Sequence, residues 1–131
     1  MAYLAHLSEH ILDPLFEAVF VETGARLTVT SGYRFPKLNR AIGGASNSAH
    51  MVGRAADCKA PGIYAQKLFD IAHALRPKLP FDKLIFEHNA WIHVQIAKQG
   101  RDPRDQVWAA YKRGDDTKYE SGGRPPNGKW V

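Results

Sequence analysis

His50 and Asp57 stand seven positions apart in the stretch Ser48-Ala49-His50-Met51-Val52-Gly53-Arg54-Ala55-Ala56-Asp57, and no other feature constrains the fold as tightly. If both residues serve one metal ion, bonds of about 2 Å must meet at a single point. On a continuous α-helix the two would stand roughly 10 Å apart along the axis, and on an extended strand roughly 23 Å. The chain must therefore reverse between them. Met51-Val52-Gly53 supplies a glycine where such a turn needs permissive backbone angles. Downstream, Glu87 and His93 bracket a short turn in an apolar, strand-like stretch, so two histidines, an aspartate and a glutamate are available for a hydrolytic zinc site.

Composition narrows the alternatives. Cys58 is the only cysteine, which excludes an intrachain disulfide and any zinc site built on two or four cysteines, so a metal must be held by histidine and carboxylate. A length of 131 residues fits one catalytic domain spanning 1–131, with its core at about 5–97 and a C-terminal extension at 98–131 whose end is expected to be poorly ordered. No apolar run has the length of a membrane span, so no membrane partner is expected. The first 24 residues carry Glu9, Asp13, Glu17 and Glu22 and no Lys or Arg, so the basic start of a secretory signal is missing and synthesis in the cytoplasm is the expectation. The formal net charge of +5 favours an anionic partner, and residues 25–97 hold ten basic against four acidic side chains. Nucleic acid is not the expected partner, because no aromatic-rich basic platform or groove helix accompanies the charge.

Along the chain, Leu12, Leu15, Phe16, Val19 and Phe20 recur at helical spacing, with Asp13-Pro14 as N-cap and first-turn proline and Gly24 as C-cap. Arg26–Thr30 alternates as a strand that delivers Ser31-Gly32-Tyr33-Arg34, and Pro36–Ile42 reads as a short helix. A short strand at Arg54–Lys59 carries Asp57, and a helix over Ile63–Leu79 shows an apolar stripe of Ala65, Leu68, Phe69, Ala72 and Leu75. Asp82–Glu87 and Trp91–Ala97 form a hairpin; Asp105–Arg113 is expected to be a last helix, and Gly122–Gly128 a tail without regular structure. This order predicts an α+β fold with a small antiparallel sheet flanked by helices.

The hairpin loop decides whether the site can exist. A loop of three residues, 88–90, puts Glu87 opposite Trp91 and turns Glu87, Trp91 and His93 to one face; a two-residue loop would turn His93 away. The apolar set Ile92, Val94 and Ile96 favours the first arrangement. A catalytic zinc commonly keeps three protein ligands, which here are His50, Asp57 and His93, leaving Glu87 as general base. Arg34 is the candidate to grip a substrate carboxylate, and His88, beside Glu87, the candidate to donate to a developing oxyanion. Trp91 either stacks on substrate or braces the hairpin. Cys58, on the strand face opposite Asp57, is expected to be a buried small apolar residue.

Ser31-Gly32-Tyr33-Arg34, Leu38-Asn39-Arg40, the block from Ser48 through His50, Met51, Gly53 and Ala55 to Asp57, and Glu87 followed six positions later by His93 resemble the zinc D-Ala-D-Ala carboxypeptidases and their peptidoglycan endopeptidase relatives. That group shares its zinc fold with the Hedgehog signalling domain. The likeness covers roughly residues 5–97. It implies zinc on His50, Asp57 and His93, Glu87 as base, and Arg34 on a substrate carboxylate. Many carboxypeptidases of the group carry Glu-x-x-His, whereas here Ala90 stands three before His93. The longer spacing resembles the short phage-encoded and Hedgehog-like branches. The resemblance therefore implies a Zn2+-dependent peptidase, expected to be monomeric, that cuts stem peptides or crosslinks of bacterial peptidoglycan as a phage endolysin does, reaching the cell wall without its own signal. A D,D-carboxypeptidase acting on small muropeptides and a non-enzymatic Hedgehog-like zinc domain are the alternatives.

Overall fold

A computed structural model of the chain describes residues 3–32 and 49–131. The expected short helix at 36–42 and the candidate Arg34 lie outside the described residues. The fold is α+β: helices α1 (Tyr3–Leu7), α2 (Asp13–Thr23) and α3 (Ala65–Leu75) lie beside a sheet of strands β1 (Thr28–Ser31), β2 (Ala55–Lys59), β3 (Lys83–Glu87), β4 (Trp91–Gln95), β5 (Gln106–Arg113) and β6 (Asp116–Ser121). Among the described residues the sheet order is β1-β2-β4-β3-β5-β6.

The N-terminal helices form one run, α1 passing through a π turn (Ser8–Leu12) into α2. Asp13-Pro14 is therefore not a helix start as the sequence predicts. Leu12 already has helical angles, and the Asp13 N–H reaches the Ser8 carbonyl. The wider turn opens the ladder where Pro14 has no N–H to give. The run buries Leu7, Ile11, Leu15 and Val19, one residue every fourth position, and leaves Phe16 and Phe20 on the outside, stacked on each other with centroids 6.5 Å apart. Gly24 ends it as expected, at φ +75° with its N–H on the Phe20 carbonyl at 2.8 Å.

Alternation divides the sheet into two faces. Ala56 and Cys58 of β2, Leu84 and Phe86 of β3, and Ile92 and Val94 of β4 join Leu68, Phe69 and Ala72 of α3 in the core. Each fully buried Leu or Ile side chain contributes about 1.5–3 kcal/mol relative to exposure. Asp57, His93 and Glu87 alternate with these residues and so fall on the opposite face.

Two findings revise the reading of residues 105–131. Gln106–Arg113 is a strand, not a helix. Val107, Ala109 and Tyr111 alternate with Gln106, Trp108, Ala110 and Lys112, and β5 pairs in parallel with β3 from Lys83↔Gln106 to Glu87↔Ala110, which makes the sheet mixed. The parallel sense follows from the route of the chain. β4 ends where β3 begins, so the connection after Gln95 enters on the free edge of β3 in the direction of β3 itself. The tail is also held in place. After a short turn at Pro126–Gly128, Trp130 packs on Phe86 at 4.7 Å between centroids, Phe86 stacks on Phe69 at 4.9 Å, and the Trp130 carbonyl accepts the Lys112 N–H at 3.0 Å.

Candidate metal centre

Each of the three expected ligands is placed by a local feature of the sequence. His50 lies in a single turn (Ala49–Val52) that Gly53 closes at φ +77°, its N–H on the His50 carbonyl at 3.3 Å. A side chain at Gly53 would be strained at that angle and would meet Leu4 Cγ at 2.7 Å. The chain then turns into β2, where Asp57 pairs directly with His93 of β4 and with Ser31 of β1. The hairpin loop is three residues, with Glu87 opposite Trp91 and Ile85 opposite His93, so the arrangement the site depends on is the one found. His88 and Asn89, both at φ +55°, carry the tight turn.

One donor atom from each of His50, Asp57 and His93 lies within 4.8 Å of the other two. His50 Nε2 and His93 Nδ1 both address Asp57 Oδ1, at 3.4 and 3.2 Å. Tetrahedral zinc with bonds of about 2.0–2.1 Å requires a ligand–ligand edge of about 3.3 Å. The opposite nitrogen of each ring is already engaged. His50 Nδ1 stands 2.8 Å from the Gly32 carbonyl oxygen, which can only accept, so Nδ1 carries a proton and Nε2 is the nitrogen turned toward Asp57. His93 Nε2 stands 2.9 Å from Gln95 Oε1 and donates to it, which leaves Nδ1 toward Asp57. Two imidazole nitrogens and a carboxylate oxygen converging at these distances form a set that a metal cation can bridge. Their second nitrogens, hydrogen-bonded to oxygen, have the support usual for ligating histidines. The donor set therefore fits zinc.

The electrostatics have the same sense. Burial works to raise the Asp57 pKa, but the hydrogen bonds and charges of His50 and His93 outweigh it and hold the carboxyl far below the ordinary range. Burial would lower His93, but its hydrogen bond to Asp57, the Glu87 and Asp57 charges and the Gln95 contact push it up. A positive charge is thus favoured where the three residues meet. Cys58, on the far face, is buried and its thiol is pushed up to about 12 by burial and by Asp57, so it has no thiolate to offer.

Glu87 stands two residues along β3 from Ile85, on the metal-site face and diagonal to His93, roughly 7–8 Å between backbones. Burial raises its pKa above the ordinary carboxylate value; the His93 charge opposes the rise and Asp57 adds to it. Trp91 donates its Nε1–H to Glu87 Oε2 at 2.7 Å, so it orients the carboxylate as well as bracing the hairpin. The His88 ring lies against Trp91 with centroids 5.4 Å apart, and its pKa is lowered by burial and by Lys112, so it is a neutral imidazole near pH 7. Sequence reading missed Gln95 and the Gly32 carbonyl as supports of the histidines. Gln95 had a visible signal, a polar residue two positions from His93 on the same strand face. The backbone carbonyl had none.

None of the curated proteins compared with the chain matches it. The family profile described as Peptidase M15 matches residues 7–95, a span that holds His50, Asp57, Glu87 and His93 and stops short of β5 and β6. With more than half its length so matched and a ligand set suited to zinc, the chain belongs to the Peptidase M15 family of zinc peptidases.

Proposed function

We propose that this peptidase hydrolyses peptide bonds within bacterial peptidoglycan, as a cell-wall endopeptidase of the endolysin kind. One observation carries the reading: a half-buried carboxylate, Glu87, stands apart from the ligand cluster, on the same sheet face and diagonal to His93. A purely structural zinc site has no use for it. Zinc held by His50, Asp57 and His93 supplies a Lewis acid that acidifies water and polarises the scissile carbonyl. Glu87, anchored by Trp91 and kept basic enough by its raised pKa, takes the water proton and returns it to the leaving amine. The net charge of +5 suits an anionic wall polymer.

The test is mass analysis of purified peptidoglycan incubated with the zinc-loaded chain. Endopeptidase action releases crosslinked or stem-peptide fragments, while a D,D-carboxypeptidase releases only terminal D-alanine. Glu87→Gln keeps the acceptor for Trp91 and is expected to retain zinc while losing about 10²–10⁴-fold in turnover. Wall digestion at the normal rate by that variant would sink the assignment.

A further inference from the structure

His93 is held from behind by a chain of polar groups that ends outside the region matched to the family. Gln95 Oε1 accepts from His93 Nε2, and Gln95 Nε2 donates to Asp82 Oδ2 at 3.1 Å. Arg104 grips Asp82 with two parallel bonds, Nε to Oδ1 at 2.9 Å and an Nη to Oδ2 at 2.7 Å, and adds its backbone N–H to Oδ1 at 3.1 Å. Gln95 and Asp82 are buried, at 6% and 2% exposure, and the Asp82 N–H is bound to the Gln95 carbonyl at 2.7 Å.

On the side of His93 that faces Gln95, these contacts have only one consistent proton arrangement. Arg104 offers donors alone, so Asp82 faces it as a carboxylate, which can only accept. The Gln95 group beside Asp82 must then be the amide nitrogen, and the amide oxygen must face His93. An oxygen there requires a proton on His93 Nε2, which leaves Nδ1 as the ligating atom. Reversing the amide would set its oxygen against the carboxylate oxygen and its NH2 against the imidazole.

We propose that Arg104, Asp82 and Gln95 form a positioning relay that fixes His93 as its Nε2–H tautomer and so presents Nδ1 to the metal. The relay spans three strands: Gln95 closes β4, while Asp82 precedes β3 and Arg104 precedes β5. The parallel pairing of β3 with β5 sets the last two side by side, so the segment beyond the family match reaches the metal centre. None of the three touches the ion or substrate; each acts through His93.

The inference rests on the zinc reading for its consequence but not for its geometry, and two measurements separate the two. The first is the 15N spectrum of His93 in metal-free protein, recorded above the raised His93 pKa so that the ring is neutral and its tautomer is reported directly; the second is zinc affinity by chelator competition. Gln95→Met replaces the amide with an apolar chain of similar length. It is expected to abolish the Nε2–H preference and weaken zinc about 10–100-fold, the range for loss of such outer partners. Arg104→Gln is the second variant. Its side chain is half exposed and borders an open cleft of about 410 Å³ with Lys98, Arg101 and Asp102, so its removal leaves no buried void. It is expected to mix the His93 tautomers and weaken zinc several-fold at unchanged fold. Wild-type tautomer and affinity in a folded Gln95→Met protein, or in Arg104→Gln where the first does not fold, overturn the relay. A wild-type chain that fixes the tautomer yet binds no zinc overturns the metal reading and leaves the relay standing.

Discussion

Replacing Trp91 with Phe is the sharpest test of how Glu87 is tuned. The indole donates one hydrogen bond, at 2.7 Å, to a half-buried carboxylate whose pKa burial has already raised. Phe keeps an aromatic ring in the hairpin, against His88, and deletes that donor. A hydrogen bond to a charged group is worth about 1.5–3 kcal/mol, and one pKa unit corresponds to about 1.36 kcal/mol, so complete loss would raise Glu87 by about 1–2 units. Glu87 retains partial access to water, which replaces part of the bond, so the lower end, about 1 unit, is expected. The sign is fixed: the lost donor stabilised the charged form, so the proton binds more tightly, and the base is disarmed at higher pH than in the wild type. The acid limb of the pH–rate profile for peptidoglycan solubilisation should move up by about 1 unit at an unchanged plateau. The 13C carboxyl shift of Glu87 in zinc-loaded protein should titrate with the same displacement. An unmoved limb and an unmoved 13C midpoint, at unchanged zinc content, would refute the claim that Glu87 is the base and Trp91 its tuning partner.

Zinc stabilisation should depend on pH through His93. Its raised pKa means that in metal-free protein the proton contributes stability below the ordinary histidine value of about 6.5, stability that is lost as pH rises through the raised value. The same proton blocks Nδ1, so zinc binds more tightly as it leaves. The melting-temperature gap between zinc-loaded and metal-free protein is therefore expected to widen from pH 6.5 upward; a gap that narrows would contradict the ligand assignment. Gly123→Ala tests the packing of the tail. Gly123 sits at φ +82°, and a Cβ there would overlap the buried Phe69 ring. A left-handed non-glycine residue costs about 1–2 kcal/mol and overpacking about 1–3 kcal/mol, so denaturant unfolding should show a loss of about 2–5 kcal/mol. A loss below 1 kcal/mol would mean that Gly122–Gly123 does not pack on α3.

The candidate metal site was legible because its parts are local. Gly53 can be read as the reversal between His50 and Asp57, and the apolar phase of Ile92, Val94 and Ile96 fixes the hairpin register that turns His93 toward Asp57. The helix expected at 105–113 gives way to a strand because Val107 to Lys112 carries two alanines among β-formers, a pattern that local propensity leaves open and that pairing with β3 decides. Phe16 and Phe20 share the helical spacing of Leu15 and Val19 but face outward, because the buried stripe runs Leu7, Ile11, Leu15 and Val19 through the π turn at Ser8–Leu12, which no residue there announces. The clamp of Asp82 by Arg104 joins residues 22 positions apart whose contact exists only once β5 lies parallel to β3.

That dependence accounts for what the extension does to the site. Without β5, β3 would be an edge strand, and Glu87 would sit at an unpaired, frayed border, a poor place to hold a carboxylate to within a fraction of an ångström. With β5 in place, Glu87 is flanked by Trp91 on one side and Ala110 on the other, and the His88 N–H is bound to the Ala110 carbonyl at 2.8 Å. Ala110 is fully buried yet adds no bulk beyond Cβ, so the strand rigidifies the border without filling the space in front of the carboxylate. At the other end of β3 the same strand presents Arg104 to Asp82 and, through Gln95, supports His93. The four chemical groups lie within the family-matched span, but two of them, Glu87 and His93, are held in position by contacts from residues beyond it.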